Sequence, residues 1–101
     1  MKGSKTIQLK GKEIALSFTV GAMEDFQEYL KEVGVEADLD EALSEMKHFR
    51  KLIEILSEYG GEKVEAKEFK FLDFSEISKV TGLINESTEN IVVGKDQKAK
   101  T

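Results

Sequence analysis

The chain has 101 residues, 40% of them hydrophobic, and carries 20 acidic against 15 basic side chains for a net charge of -5. That length suits one domain with a modest core, and the charge argues against unspecific attraction to nucleic acid or to an anionic membrane. The lack of cysteine excludes disulfides and thiolate metal sites, and no apolar run approaches the roughly 18 residues of a membrane span.

Ile7 and Leu9, then Ile14, Leu16 and Phe18, alternate with polar residues on either side of Gly11. This is the period-two pattern of half-buried strands, with Lys10-Gly11-Lys12 as the turn. A lone hairpin buries too little to stand in water, so later helices must cover its apolar face. Thr19 is suited to cap a first helix from about Val20 to about Glu32, because its hydroxyl can accept an unpaired amide of the first turn. Met23, Phe26, Leu30 and Val33 form the stripe expected to face the hairpin, and Gly34 is placed to end the helix in a left-handed backbone.

Asp38 and Glu41 form a variant capping box for a second helix, whose acidic start suits the positive end of the helix dipole. Leu39, Leu43, Met46, Phe49, Leu52, Ile53 and Leu56 trace a seam to Tyr59, where Gly60-Gly61 stops it. One continuous helix over that range would be about 30 Å long and would serve as the central strut. The stretch from Val64 to Leu72 reads as a short helix or a third strand, and its Glu, Lys and Ala content favours helix. Asp73 or Ser75 then caps a last helix with Phe74, Ile77, Val80 and Ile84 on its buried side, and Gly82 marks a site for a kink or a close helix contact. From Glu89 the pattern dissolves into Ile91-Val92-Val93 and a lysine-rich end. The expected fold is α+β, mainly α: an N-terminal β-hairpin packed on three to four helices in a single domain over residues 1–88, with a disordered C-terminal tail over 89–101.

No catalytic, cofactor-binding or metal-ligating residue is identified, and the chain is not expected to be an enzyme. His48, the one histidine, lies off the apolar seam without a histidine partner at helical spacing, and is expected at a solvated or boundary position. Asp38 and Asp40 are explained by helix capping, because the glycine and terminal glutamate of a calcium loop are missing at the needed offsets. Lys47, Arg50 and Lys51 are interleaved with Glu45, Glu54 and Glu58, which reads as an ion-paired surface. Phe69, Phe71 and Phe74 are the least easily absorbed residues, since aromatics two and three positions apart cannot all face one side of a regular helix. Either a bend near Asp73 turns them all inward, or an exposed apolar spot docks a partner, which makes these three the candidate partner-binding residues.

The order of elements resembles the tail assembly chaperones of long-tailed bacteriophages and prophages over Thr6 to about Ser87. The resemblance rests on Ile7-Gln8-Leu9-Lys10-Gly11-Lys12-Glu13, on Ala15-Leu16-Ser17-Phe18-Thr19-Val20-Gly21-Ala22-Met23, on the acidic helix start Asp38-Leu39-Asp40-Glu41-Ala42-Leu43, and on Asp73-Phe74-Ser75-Glu76-Ile77. It implies a protein of the bacterial host's cytoplasm that binds the tape-measure protein and keeps it soluble while the tail tube assembles. The tail tube protein and a second copy of the chain are further candidate partners, while the charge balance and the lack of an apolar span argue against nucleic acid and membrane. A longer product made by frameshifting near Val93-Gly94-Lys95 is a further family feature. The alternative of another class is a tail structural or connector protein that assembles into oligomeric rings.

Overall fold

The computed structural model describes residues 4–36 and 38–86. Strands β1 (Ser4–Leu9) and β2 (Lys12–Ser17) pair antiparallel, with Ile7 opposite Ile14 and Leu9 opposite Lys12. The connection is therefore the two residues Lys10-Gly11, and Lys12 belongs to β2 rather than to the turn. Both turn residues have positive φ, 52° at Lys10 and 78° at Gly11, which matches the twist of the flanking strands. Ile7, Leu9, Ile14 and Leu16 are all buried on one face. The outer edge of β1 is also engaged, since the Gln8 amide donates to the Glu76 carboxylate at 2.9 Å and so is not left as an open template for another strand.

Helix α1 (Val20–Glu32) starts at Thr19, whose hydroxyl accepts the Ala22 amide at 3.1 Å. Ala22, Phe26 and Leu30 are its buried residues, with Met23 at the margin of the core and Val33, at the C-cap, exposed. The Val35 amide bonds back to the Leu30 carbonyl and the Gly34 amide to that of Lys31. With Gly34 at φ 78°, this is the glycine-terminated ending expected of the sequence.

The single long second helix is not what forms. Helix α2 (Leu39–Leu43), capped by the Asp38 carboxylate on the Glu41 amide, is followed by helix α3 (Met46–Tyr59). At the break the Ser44 and Glu45 amides turn to the Glu41 and Ala42 carbonyls three residues back, and the Ser44 hydroxyl also donates to the Glu41 carbonyl at 2.7 Å. Glu45 is extended, at φ -95° and ψ 126°, and its carbonyl starts α3. At 14 residues, α3 is about 21 Å long and remains the strut: it touches β2, α1, α2 and the segment that follows it.

That segment is helical, as favoured, but as a 3-10 helix over Ala66–Phe71. Helix α4 covers residues 74–86, beginning at the Asp73 carbonyl, which accepts the Glu76 and Ile77 amides. Val80, Leu83 and Ile84 are buried on it and Ile77 is partly buried. Phe74 is not on the buried side, because six residues of α-helix turn through about 600° and leave it about 120° away from Val80. Among the described residues a Cβ at Gly82 would meet nothing nearer than Lys5 Nζ at 3.8 Å, so no close helix contact is made there with any of them. The fold is α+β and mainly α, and one apolar cluster joins both strands, α1, α3, α4 and the 3-10 helix. The tail expected over 89–101 lies outside the described residues.

Two features fix α3 in place. A Cβ on Gly60 would overlap the Ala15 carbonyl oxygen of β2, so glycine is needed there for close backbone approach rather than for its φ of -85°. The loop after α3 is then fastened by side chains of α3 itself. The Ser57 hydroxyl donates to the Glu54 carbonyl at 2.7 Å and accepts the Val64 amide at 2.8 Å, while the Glu54 carboxylate accepts the Ala66 amide at 3.0 Å. Lys51 and Lys63 reach the other Glu54 oxygen at 3.2 and 3.5 Å.

Burial would raise the Glu54 pKa, but the Ala66 amide, the Lys51 hydrogen bond and the charges of Lys51 and Lys63 outweigh it and hold the carboxyl below its ordinary value. A lowered folded-state pKa means that the carboxylate's stabilisation is present above the ordinary value and is lost as pH falls through the folded one. Denaturation at about pH 7 and about pH 3 should therefore show wild type losing more stability on acidification than Glu54→Gln, and parallel losses would contradict the role given to the charge. Gly60→Ala should cost about 2 kcal/mol or more at neutral pH, because backbone has to give way. A change under about 0.5 kcal/mol in urea unfolding would refute the close approach.

Candidate functional site

The three phenylalanines separate. In the 3-10 helix successive residues turn by about 120°, so Ala66, Phe69 and Leu72 share one face and Phe71 lies off it. Phe69 is buried, at 4% exposure, Phe71 is 64% exposed and Phe74 is 82% exposed. A bend that turns all three inward does not form, and Phe71 and Phe74 both project from the packed face.

Phe69 and Phe74 meet at one groove of about 230 Å³, with Phe49, Ile53, Met46 and Ile77 among its walls. A void of roughly 150 Å³ holds a benzene ring, so this space admits a single large apolar side chain. A second depression of about 290 Å³ adjoins it along α3 and α4, sharing Met46, Phe49 and Ile77 and reaching Leu43, Thr81 and Ile84. Met46, assigned by its spacing to the buried seam, is 46% exposed at the lip. Phe71 is placed elsewhere: its ring lies under Lys10 Nζ, 4.2 Å from the centroid, and Lys10 also pairs with Glu68 at 3.5 Å. Phe71 thus ties the hairpin turn to the 3-10 helix, a contact worth about 0.5–1 kcal/mol at an exposed position.

The charged residues lining the first groove are Arg50 and Lys70. Neither forms an ion pair with a described residue, whereas Lys51 and Lys63 are committed to Glu54. The basic face read from Lys47, Arg50 and Lys51 is accordingly an ion-paired surface at Lys51 but not at Arg50. The sequence held no signal for this, since Arg50 becomes a groove residue only when Lys70 and Phe74 are brought to it from the far end of the chain.

His48 also departs from expectation. It is 5% exposed, with Nδ1 2.9 Å from the Tyr29 hydroxyl and the two rings edge to face at 5.6 Å. Tyr29 stacks in turn on Phe26 at 5.8 Å. Helix α1 covers a side of α3 that the seam alone left to solvent, and the histidine joins the two helices. No group of three or more histidine, aspartate or glutamate residues among the described residues could hold a metal ion, and no helix among them is long and apolar enough to cross a membrane.

No family model matches the chain, and no curated protein or solved structure is similar to it at the level required of a relative. Function has to be argued from the groove.

Because Phe69 is core and Phe74 is surface, polar or small replacements should separate them cleanly. Phe69→Ala should cost about 3–5 kcal/mol, while Phe74→Ser should change urea-unfolding stability by less than about 0.5 kcal/mol and should lower binding of a hydrophobic dye to the folded protein. Equal losses for the two variants would contradict this division of the aromatics.

Proposed function

We propose that the chain is a non-catalytic binding protein of the bacterial cytoplasm, an assembly chaperone that holds the tape-measure protein of a long-tailed phage soluble while the tail tube forms. The single observation that carries this is the apolar groove between α3 and α4 with Phe74 exposed at its edge. A large aromatic held 82% in solvent beside an apolar depression is costly for solubility and is explained by a partner that covers it. The walls are supplied by helices, a geometry suited to receiving the apolar stripe of another helix. The resemblance of the sequence to tail assembly chaperones suggests the class of partner, a very long and largely helical chain. The acidic balance of the protein, -5 overall, keeps the complex soluble while that stripe is masked.

The test is co-expression of a matching tape-measure protein with wild type, Phe71→Ser and Phe74→Ser. Wild type and Phe71→Ser should keep it soluble and co-purify with it, and Phe74→Ser should lose most of both effects. Mass spectrometry of finished particles should find the chain absent. Its stoichiometric presence there would favour the ring-forming structural protein instead, and unchanged solubility of the tape-measure protein without the chain would overturn the proposal.

A further inference from the structure

The groove carries information about the charge of its occupant as well as its shape. We infer that it receives an amphipathic helix whose apolar stripe is flanked by acidic residues, with Phe74 and Phe49 gripping the stripe and Arg50 and Lys70 pairing with the acids. This rests on the chaperone proposal for the partner's identity and deepens it by naming the chemistry of the segment that is bound.

The walls set the shape. Met46, Phe49 and Ile53 recur at three- and four-residue steps on α3, and Ile77, Thr81 and Ile84 do so on α4. Two such helical ridges leave a furrow into which a third helix fits its own ridge. The two adjoining depressions, each large enough for one apolar side chain, suit two anchors one turn apart on a single helix. An extended strand would bring rows of backbone amides and carbonyls against these apolar walls and leave them unpaired.

The charges set the sign. In a chain where acids outnumber bases by 20 to 15, the charged residues lining this groove are both basic, and neither is neutralised by a described carboxylate. Arg50 projects from α3 in the turn between Met46 and Ile53, and Lys70 lies next to Phe69 on the 3-10 helix. A basic helix would meet two unpaired cations as it sank into the furrow, and an acidic one meets partners. The guanidinium of Arg50 can also take a carboxylate through two parallel hydrogen bonds. Among the described residues, α1 and α3 of a second copy are a weaker fit, because their buried apolar residues belong to its own core.

The test uses the full chain and two capped peptides of about fifteen residues, each with leucines at three- and four-residue spacing, one flanked by glutamates and the other by lysines. Titration followed by amide chemical shifts should place the glutamate peptide at Met46, Arg50, Lys70 and Phe74, with at least tenfold tighter binding than the lysine peptide at low salt. The Arg50→Glu/Lys70→Glu double variant should reverse that order, Phe74→Ser should weaken both, and raised salt should narrow the gap. Equal affinities, tighter binding of the lysine peptide, shifts elsewhere on the surface, or a concentration-dependent dimer that occupies the groove would each overturn the inference. Selective binding of the glutamate peptide by a chain that fails to solubilise the tape-measure protein would uphold the groove chemistry and reject the chaperone role, so the two failures are distinguishable.

Discussion

A two-stranded sheet cannot bury enough to hold itself together, and the whole arrangement follows from how this chain covers one. The apolar face of β1 and β2 needs a partner that lies flat against it and comes close. Helix α3 provides that partner, and the glycine at its end allows its backbone to meet the Ala15 carbonyl where any side chain would hold it off. Once α3 is seated, Ser57 and Glu54 dictate where the next segment runs, by taking the Val64 and Ala66 amides as the chain turns back. The position of Phe69, and so the floor of the groove, is a downstream effect of those polar contacts. Helix α1 closes the other flank through Tyr29 and His48, and α4 reaches the far edge of the hairpin through Glu76 and Gln8.

The same helix therefore serves two purposes. Its Leu52 and Leu56 are entirely buried in the body of the molecule, whereas Met46 at its start is half in solvent. The break at Ser44 matters for this reason. A straight helix from Leu39 to Tyr59 would have carried its seam past Met46 without interruption. The bend instead leaves that end of α3 open beside α4. A rigid wall with an uncovered apolar end is what a docking furrow requires, because the side chains that grip the ligand are held by the core and lose little freedom on binding. Phe71, by contrast, is spent on the body of the molecule, locking the hairpin turn to the 3-10 helix through Lys10.

Much of this was legible in the residues. The alternation of Ile7, Leu9, Ile14 and Leu16, the caps at Thr19 and Asp38, and the glycine at Gly34 specify local structure through short-range chemistry, and the hairpin and these helix ends appear where that chemistry puts them. What escaped was set by contacts between distant segments or by competition within a turn. Ser44 and Glu45 look unremarkable in a helical pattern, yet their amides turn to carbonyls three residues back and Glu45 becomes extended. Glu54 reads as part of an ion-paired surface until the loop after Gly61 folds onto it and onto Ser57. His48 reads as a boundary residue until α1 lies over it. Among the candidate site residues, spacing identified Phe69, Phe71 and Phe74 as unusual; the 3-10 turn separates Phe69 from Phe71, and Phe74 faces out from the start of α4. Arg50, Lys70 and Met46 were invisible as a group, since only the packing of the 3-10 helix against α3 brings them to one groove.

The dependence of hairpin on helix α3 can be measured directly by native-state hydrogen exchange at residue resolution. If α3 holds the hairpin, the amides of Ile7 and Ile14, paired across the strands, should open only with the same free energy as those of Leu52 and Leu56, at the level of global unfolding. Hairpin amides that exchange through a separate and much less costly opening while α3 stays protected would contradict it.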